Sequence, residues 1–396
     1  VANTDDSLKT TLVNFYVYFL LGPSIFLWHY FDRLKIIYAL PFVFLGLVLG
    51  YNLFYAKNIK DKISFKNRYL YVVLGYFIIC LVSISLNLNS SLNWAGINRD
   101  VLVFSTPFII YGFNLSYNLN HVKYLLFISI CSYFAIVGLE NDFSIHLSLF
   151  KTSASNNEFH AGILFGLFLI VFLVYKKYYW LLITMFFILL ASKRAIFLGL
   201  IPAFLIFYAF IKPFKLYEQR NNWLVFILTL VYYFILYPIS INLEGFSAWA
   251  LNLFTDGEYN TVDFLMKREV FVDLLNAQIF SGDFIDFVFG HGPGQADIYL
   301  QMGGLPGFMK YLLRSPINPH NEFCKLHFDL GIVGVCYFFV MAYTMYINNS
   351  KTGILIFLFT IPTFLVDNPL IFIYFSHIAN IIVNIKINDE QHLIST

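Results

Sequence analysis

Arg194, Arg268 and His320 stand where charge or a titrating ring is costly, in a sequence that is otherwise strongly apolar. Arg194 lies in ILLASKRAIFLGLIP, with Lys193 beside it and no acidic neighbour. A guanidinium keeps its charge at any physiological pH and presents a planar fork of donors suited to phosphate oxygens. An Arg at the end of a span also serves simply to reach the interface. Arg268, in LMKREVFVDLL, has Glu269 and Asp273 as surface partners, or it acts as a second phosphate clamp. Two such forks meeting at one pyrophosphate would hold a diphosphate without metal. His320, in SPINPHNEFCKLHFDLGIVGV, follows the extended Pro316 and Pro319 and precedes Asn321 and Glu322, which open a helix. An imidazole held at a water–membrane boundary exchanges a proton near neutral pH. His327 falls near the same helix face but deeper, and metal binding by the pair is disfavoured because shared ligation asks for i,i+4 spacing.

Weaker candidates surround these three. Glu158 and His160, in SASNNEFHAGILFG, mark the start of another apolar run, where Ser and Asn supply caps. His160 either lines the same cavity or has an ordinary helix-start role. Asn321, Lys193 and Asp367 (followed by Asn368 and Pro369) are further polar residues that could line it. Gly331 and Gly334 are read as allowing close packing below His320. Asp256 with Glu258, and Asp283 with Asp286, are the acidic pairs that could hold a divalent cation, but acids are common in loops and no metal is expected. Cys80, Cys131, Cys324 and Cys336 are scattered singly among apolar neighbours and read as small buried hydrophobes.

The elements that must position these residues follow from composition. Of the chain, 59% is hydrophobic and only 12% charged, with 47 Phe, 28 Tyr and a mean hydropathy of +0.71. A soluble domain carries about 25% charged residues. The same figures exclude disorder, coiled coils and disulfide scaffolds, and the apolar runs are too long for the strands of a membrane barrel. The reading is an all-α polytopic membrane protein of about twelve transmembrane helices. The runs are Leu12–His29, Ile36–Ala56, Tyr69–Leu88, Val101–Leu119, Tyr124–Leu139 and Ala161–Tyr175, then Tyr178–Ala191, Ala195–Ile211, Trp223–Ile241, Glu322–Ile347, Gly353–Val366 and Pro369–Ile385. The first of them has spanning length and no small-residue cleavage pattern, so it is expected to be a span and not a removed signal.

Cytoplasmic short loops retain Lys and Arg. Lys57, Lys60, Lys62, Lys66 and Arg68 therefore place their segment inside, and alternate crossing puts Lys176, Lys177, Lys212, Lys215, Arg220, Lys351 and both termini there too. The chain divides into residues 1–241 with nine spans, a large outer loop at 242–321, and residues 322–396 with three spans and a tail. Within the loop, Val262–Phe280 has a helical apolar period, expected to lie on the membrane surface or to cap a cavity. The net charge of +2 says little about partners; membrane lipids are expected among them and nucleic acid is not.

The order of these features resembles the O-antigen ligase and polymerase superfamily, integral membrane glycosyltransferases that act on polyprenyl-diphosphate-linked glycans. The matching pieces are NEFHAG at Asn157–Gly162, SKRA at Ser192–Ala195, the Arg268 helix, GHGPG at Gly290–Gly294, and PHNEF…GIVG at Pro319–Gly334. The resemblance spans roughly residues 153–335; before that it is one of hydropathy alone. It implies a metal-independent, inverting transfer, without a cofactor, on the periplasmic face of the bacterial inner membrane. The donor would be a glycan on undecaprenyl diphosphate. His320 would help deprotonate the acceptor hydroxyl, while Arg194 and Arg268 would bind the diphosphate leaving group. The family divides by acceptor: a polymerase, favoured here, joins the chain to another lipid-linked repeat unit, and a ligase moves it to the lipid A core. A chain-length regulator is a further partner that the polymerase reading implies.

A transporter or lipid flippase is the rival from another class. Twelve spans fit one equally well, but a transporter is expected to hold its polar residues near mid-membrane. In this sequence most of them fall at outer-face ends and in the outer loop.

Overall fold

The computed structural model describes residues 3–31, 39–56, 62–87, 109–113, 115–140, 160–191, 194–215, 226–227, 230–231, 234–235, 274–302, 321–346, 351–366 and 370–385. Among them the chain is helical and forms no strand. The apolar runs become α1 (Asn3–Phe15), α2 (Gly22–Phe31), α3 (Leu40–Phe54), α4 (Asn67–Leu86), α5 (Leu119–Glu140), α6 (Leu164–Val174), α7 (Tyr178–Ala191) and α8 (Arg194–Ile206). After these come α9 (Phe284–Phe289), α10 (Gln295–Met302), α11 (Glu322–Tyr346), α12 (Lys351–Val366) and α13 (Leu370–Val383). By length and composition, three stretches are long and apolar enough to cross a membrane: Leu8–Leu27, Asn67–Leu86 and Phe323–Thr344.

Local chemistry explains where several helices start and bend. Pro23 has no amide hydrogen, and the chain before it widens into a π turn, Tyr16–Leu21, that joins α1 to α2. The Ser24 hydroxyl donates to the carbonyl of Leu20 at 2.6 Å, satisfying a group in that turn. α5 begins earlier than its apolar run because Asn118 caps it. The Asn118 side-chain oxygen accepts the His121 amide at 3.1 Å, and the His121 ring nitrogen accepts the Asn118 amide at 3.2 Å. The expected span up to Leu119 ends early: Phe113 bridges to Phe65, and Tyr117 to Ile385.

α6 is the central post. Leu164 to Phe172 are buried on every side, as befits a helix that is apolar all round. Around it stand α5, α7, α8, α12 and α13. Phe359 of α12 lies over both Gly166 and Gly199, where a Cβ would overlap its ring, so α6 and α8 approach α12 closely. Hydroxyls inside the bundle turn back onto their own helices, Thr184 to Trp180, Thr360 to Ile356 and Thr363 to Phe359. Outward, Phe19, Leu53, Tyr71, Leu81, Leu182 and Leu205 are exposed, an apolar surface for lipid. Of the four cysteines, Cys80 and Cys324 are buried as expected, whereas Cys131 is half-buried and Cys336 exposed on that outer surface.

α11 departs most from its reading as one span. Gly331 has φ +68° and ψ −171°, which is not helical, and the helix breaks there. The Phe323 ring lies 5.2 Å from that of Phe338 and 5.5 Å from that of Phe339. In a straight helix, residues 323 and 339 would be about 24 Å apart. Residues 322–330 therefore double back against the second half. Gly331 permits the close packing expected of it, with the backbone of Val288 and Phe289 where a Cβ would lie, and it is also a hinge, because only glycine adopts this backbone conformation readily.

The segment 274–302 covers the doubled-back half. Leu275 and Ile279 from the helical stretch 274–281, and Ala296 and Leu300 from α10, bury themselves against Cys324 and Phe328. The C-terminal part of the expected loop helix thus packs on α11, while Phe280, Phe284 and Ile285 remain exposed.

Candidate functional site

The break in α11 frees carbonyls that a continuous helix would pair internally. The Gly290–Gly294 turn supplies the missing donors. The His291 amide donates to the Phe328 carbonyl at 2.9 Å, and the Gly292 amide to the Asp329 carbonyl at 2.8 Å. Gly290 has φ +70°, and a Cβ there would meet the backbone of Asp329. A Cβ on Gly331 would in turn overlap Val288 and Phe289. Turn and hinge each require glycine because the other's backbone occupies the space. α4 buttresses the junction: the Ser83 hydroxyl donates to the Asp329 carbonyl at 3.2 Å, and the Asn87 amide side chain to the Gly290 carbonyl at 2.9 Å.

At the other end of the half-helix, Asn321 is buried and acts as its N-cap. Its side-chain oxygen accepts the Cys324 amide at 3.0 Å. Arg194 is the first residue of α8, and His160 opens a 3₁₀ turn, His160–Ile163, leading into α6. Arg268, His320, Lys193, Glu158 and Asp367 lie outside the described residues, as do Asp256 and Glu258.

Gly166 and Gly199 share the level of Phe359 of α12. His160 and Arg194 precede those glycines by six and five residues, so each lies about 7–9 Å along its own helix from that level. Tyr343 of α11 packs edge-on against Phe357 of α12 at 6.2 Å, and Phe323, two residues after Asn321, lies back beside Phe338 and Phe339.

The described imidazoles have distinct surroundings. His291 lies against the Phe328 ring at 4.5 Å, with its Nδ1 3.9 Å from the carboxylate of Asp286. Burial lowers its pKa from the ordinary value, and Asp286 opposes that shift. Asp286 thus faces a histidine. His327, read as sharing a face with His320, is buried against Phe287 at 5.0 Å and Phe280 at 6.3 Å, between the half-helix and the covering segment. No group of three or more His, Cys, Asp and Glu that could hold a metal ion occurs among the described residues.

Two features escaped sequence reasoning. Asp329 is an acid in a span-like run, and the cost of an intramembrane carboxylate was the signal that could have exposed it. The second is a set of buried polar residues inside the bundle. His377 contacts the Tyr16 hydroxyl through its Nδ1, His121 contacts the Asn14 side chain at 2.8 Å, and Ser376 and Asn380 are buried beside His377 on α13. The signal was SHIANIIVN, whose polar residues interrupt an apolar run. Comparison of the chain with models of protein families, with curated proteins and with solved structures returns no match.

Proposed function

We propose that this protein is a membrane glycosyltransferase of the O-antigen polymerase type. It transfers an undecaprenyl-diphosphate-linked glycan to a sugar hydroxyl of another lipid-linked repeat unit, on the periplasmic face of the inner membrane. The observation that supports this reading is that Arg194 opens one helix, while Asn321, which follows His320 in the sequence, caps a half-helix that breaks at Gly331 and packs back on its own span.

The chemistry follows from the residue types. The acceptor hydroxyl oxygen forms a bond to the anomeric carbon of the donor as the bond from that carbon to the diphosphate oxygen breaks. His320 takes the hydroxyl proton, a task suited to a group of pKa about 6–7. Arg194 and Arg268 neutralise the charge that grows on the departing diphosphate, and fixed guanidiniums in a low-dielectric groove do so effectively. Attack from the face opposite the diphosphate inverts the anomeric centre. No step requires a metal ion.

Deleting the gene and resolving the surface glycolipid on a gel tests the assignment. A polymerase leaves a core bearing one repeat when lost; an unchanged ladder would refute the proposal. Bare core with polymer stranded on the lipid carrier would instead identify a ligase. A transporter remains the second reading, favoured by the buried pair His377–Tyr16, since imidazoles buried among spans mark transport paths in other proteins. Its loss would strand repeats inside the cell.

A further inference from the structure

The residue before helix α10 is Gly294, which has no side chain to accept the first amides of the helix. Asp329 fills this role from a distant part of the chain. One carboxylate oxygen accepts the Gly294 amide at 3.1 Å and the other accepts the Ala296 amide at 2.7 Å. The residue is 3% exposed. Its own carbonyl, freed by the Gly331 break, accepts the amide of Gly292 and the hydroxyl of Ser83. Asp329 is thus bound at both its backbone and its side chain, and it contacts the Gly-rich turn, α10 and α4 beside the hinge of α11.

We propose that Asp329 is the positioning residue of the site. By capping α10 in trans it locks the covering segment onto the hinge, and the lock fixes how deeply residues 322–330 double back. The placement of Asn321, which follows His320 in the sequence, is set eight residues away from the carboxylate. The latch itself stands on the hydrogen bonds; its consequence for transfer rests on the glycosyltransferase reading.

The test uses the full-length protein in lipid nanodiscs, with Asp329→Asn and Asp329→Ala. Asn keeps the shape and one acceptor oxygen, while its amide group opposes the second donor; Ala keeps neither. Amide hydrogen exchange at Gly294 and Ala296 should quicken at least tenfold in Asp329→Ala, with residues 323–330 loosened as well, and by a smaller factor in Asp329→Asn. With a lipid-linked repeat unit as substrate, kcat should fall at least tenfold in Asp329→Ala and partly recover in Asp329→Asn. KM should stay near the wild-type value, because the diphosphate is gripped elsewhere. Wild-type exchange at both amides in either variant overturns the latch, so a failure of Asp329→Ala to fold leaves Asp329→Asn to decide. Faster exchange with undiminished kcat overturns the positioning role. If the wild-type protein transfers no glycan, the glycosyltransferase reading fails, and the exchange data still decide the latch.

Discussion

The imidazole of His320 and the guanidiniums of Arg194 and Arg268 are the side chains on which the proposed chemistry turns. His320→Ala should abolish polymer while the protein stays folded in the membrane, as judged by its chromatographic profile in detergent. Arg194→Ala and Arg268→Ala should do the same, and the Lys variants should restore activity only in part, because a forked contact becomes a point contact. A second residue-scale prediction concerns pH. Burial lowers the pKa of His291 below its value in the unfolded chain, so the unfolded state takes up the proton first as pH falls. Stability should be full above about pH 6.5 and decline below it, and His291→Gln should remove that part of the decline in thermal melts. Arg194 and His320 stand out as candidates because charge and titration are conspicuous in an apolar sequence. Asp329 was not, because its partners are backbone amides more than thirty residues away, and no spacing rule connects an acid with the amides of a remote turn.

Elements fold as their local chemistry dictates, and α11 shows where composition stops being informative. Tyr178–Ala191 and the runs behind α4, α12 and α13 were legible from hydropathy alone, since their ends coincide with polar residues. The hinge was not. Leu330, Gly331 and Ile332 continue an apolar run, and the sequence does not display the sign of φ at Gly331. Gly331→Ala should destabilise the protein by about 1–3 kcal/mol from backbone conformation alone, with overlap against Val288 and Phe289 in addition. Gly334→Ala should cost less, because its backbone is helical and only the overlap with the Leu330 Cβ opposes the new methyl group. Thermal unfolding of the two variants in the same detergent compares them directly; equal losses would contradict the hinge. Loss of the cap in Asn321→Ala should cost about 1 kcal/mol.

Across the whole molecule, contacts sort the helix ends into two sets. Tyr117 meets Asn384, and Lys123 lies over Trp180, at one end; Asn87 meets Gly290 at the other. The Lys and Arg pattern predicts that the first end faces the cytoplasm. A single cysteine placed at Lys177 in a variant without native cysteines should therefore resist a membrane-impermeant maleimide in intact spheroplasts. The most direct measurement of the central claim is turnover of a purified lipid-linked repeat unit by the protein in nanodiscs, with product length read on a gel. The account predicts a ladder from the wild type, unchanged by EDTA, and none from His320→Ala. A wild-type ladder from His320→Ala, or activity lost to EDTA and restored by magnesium, would contradict it.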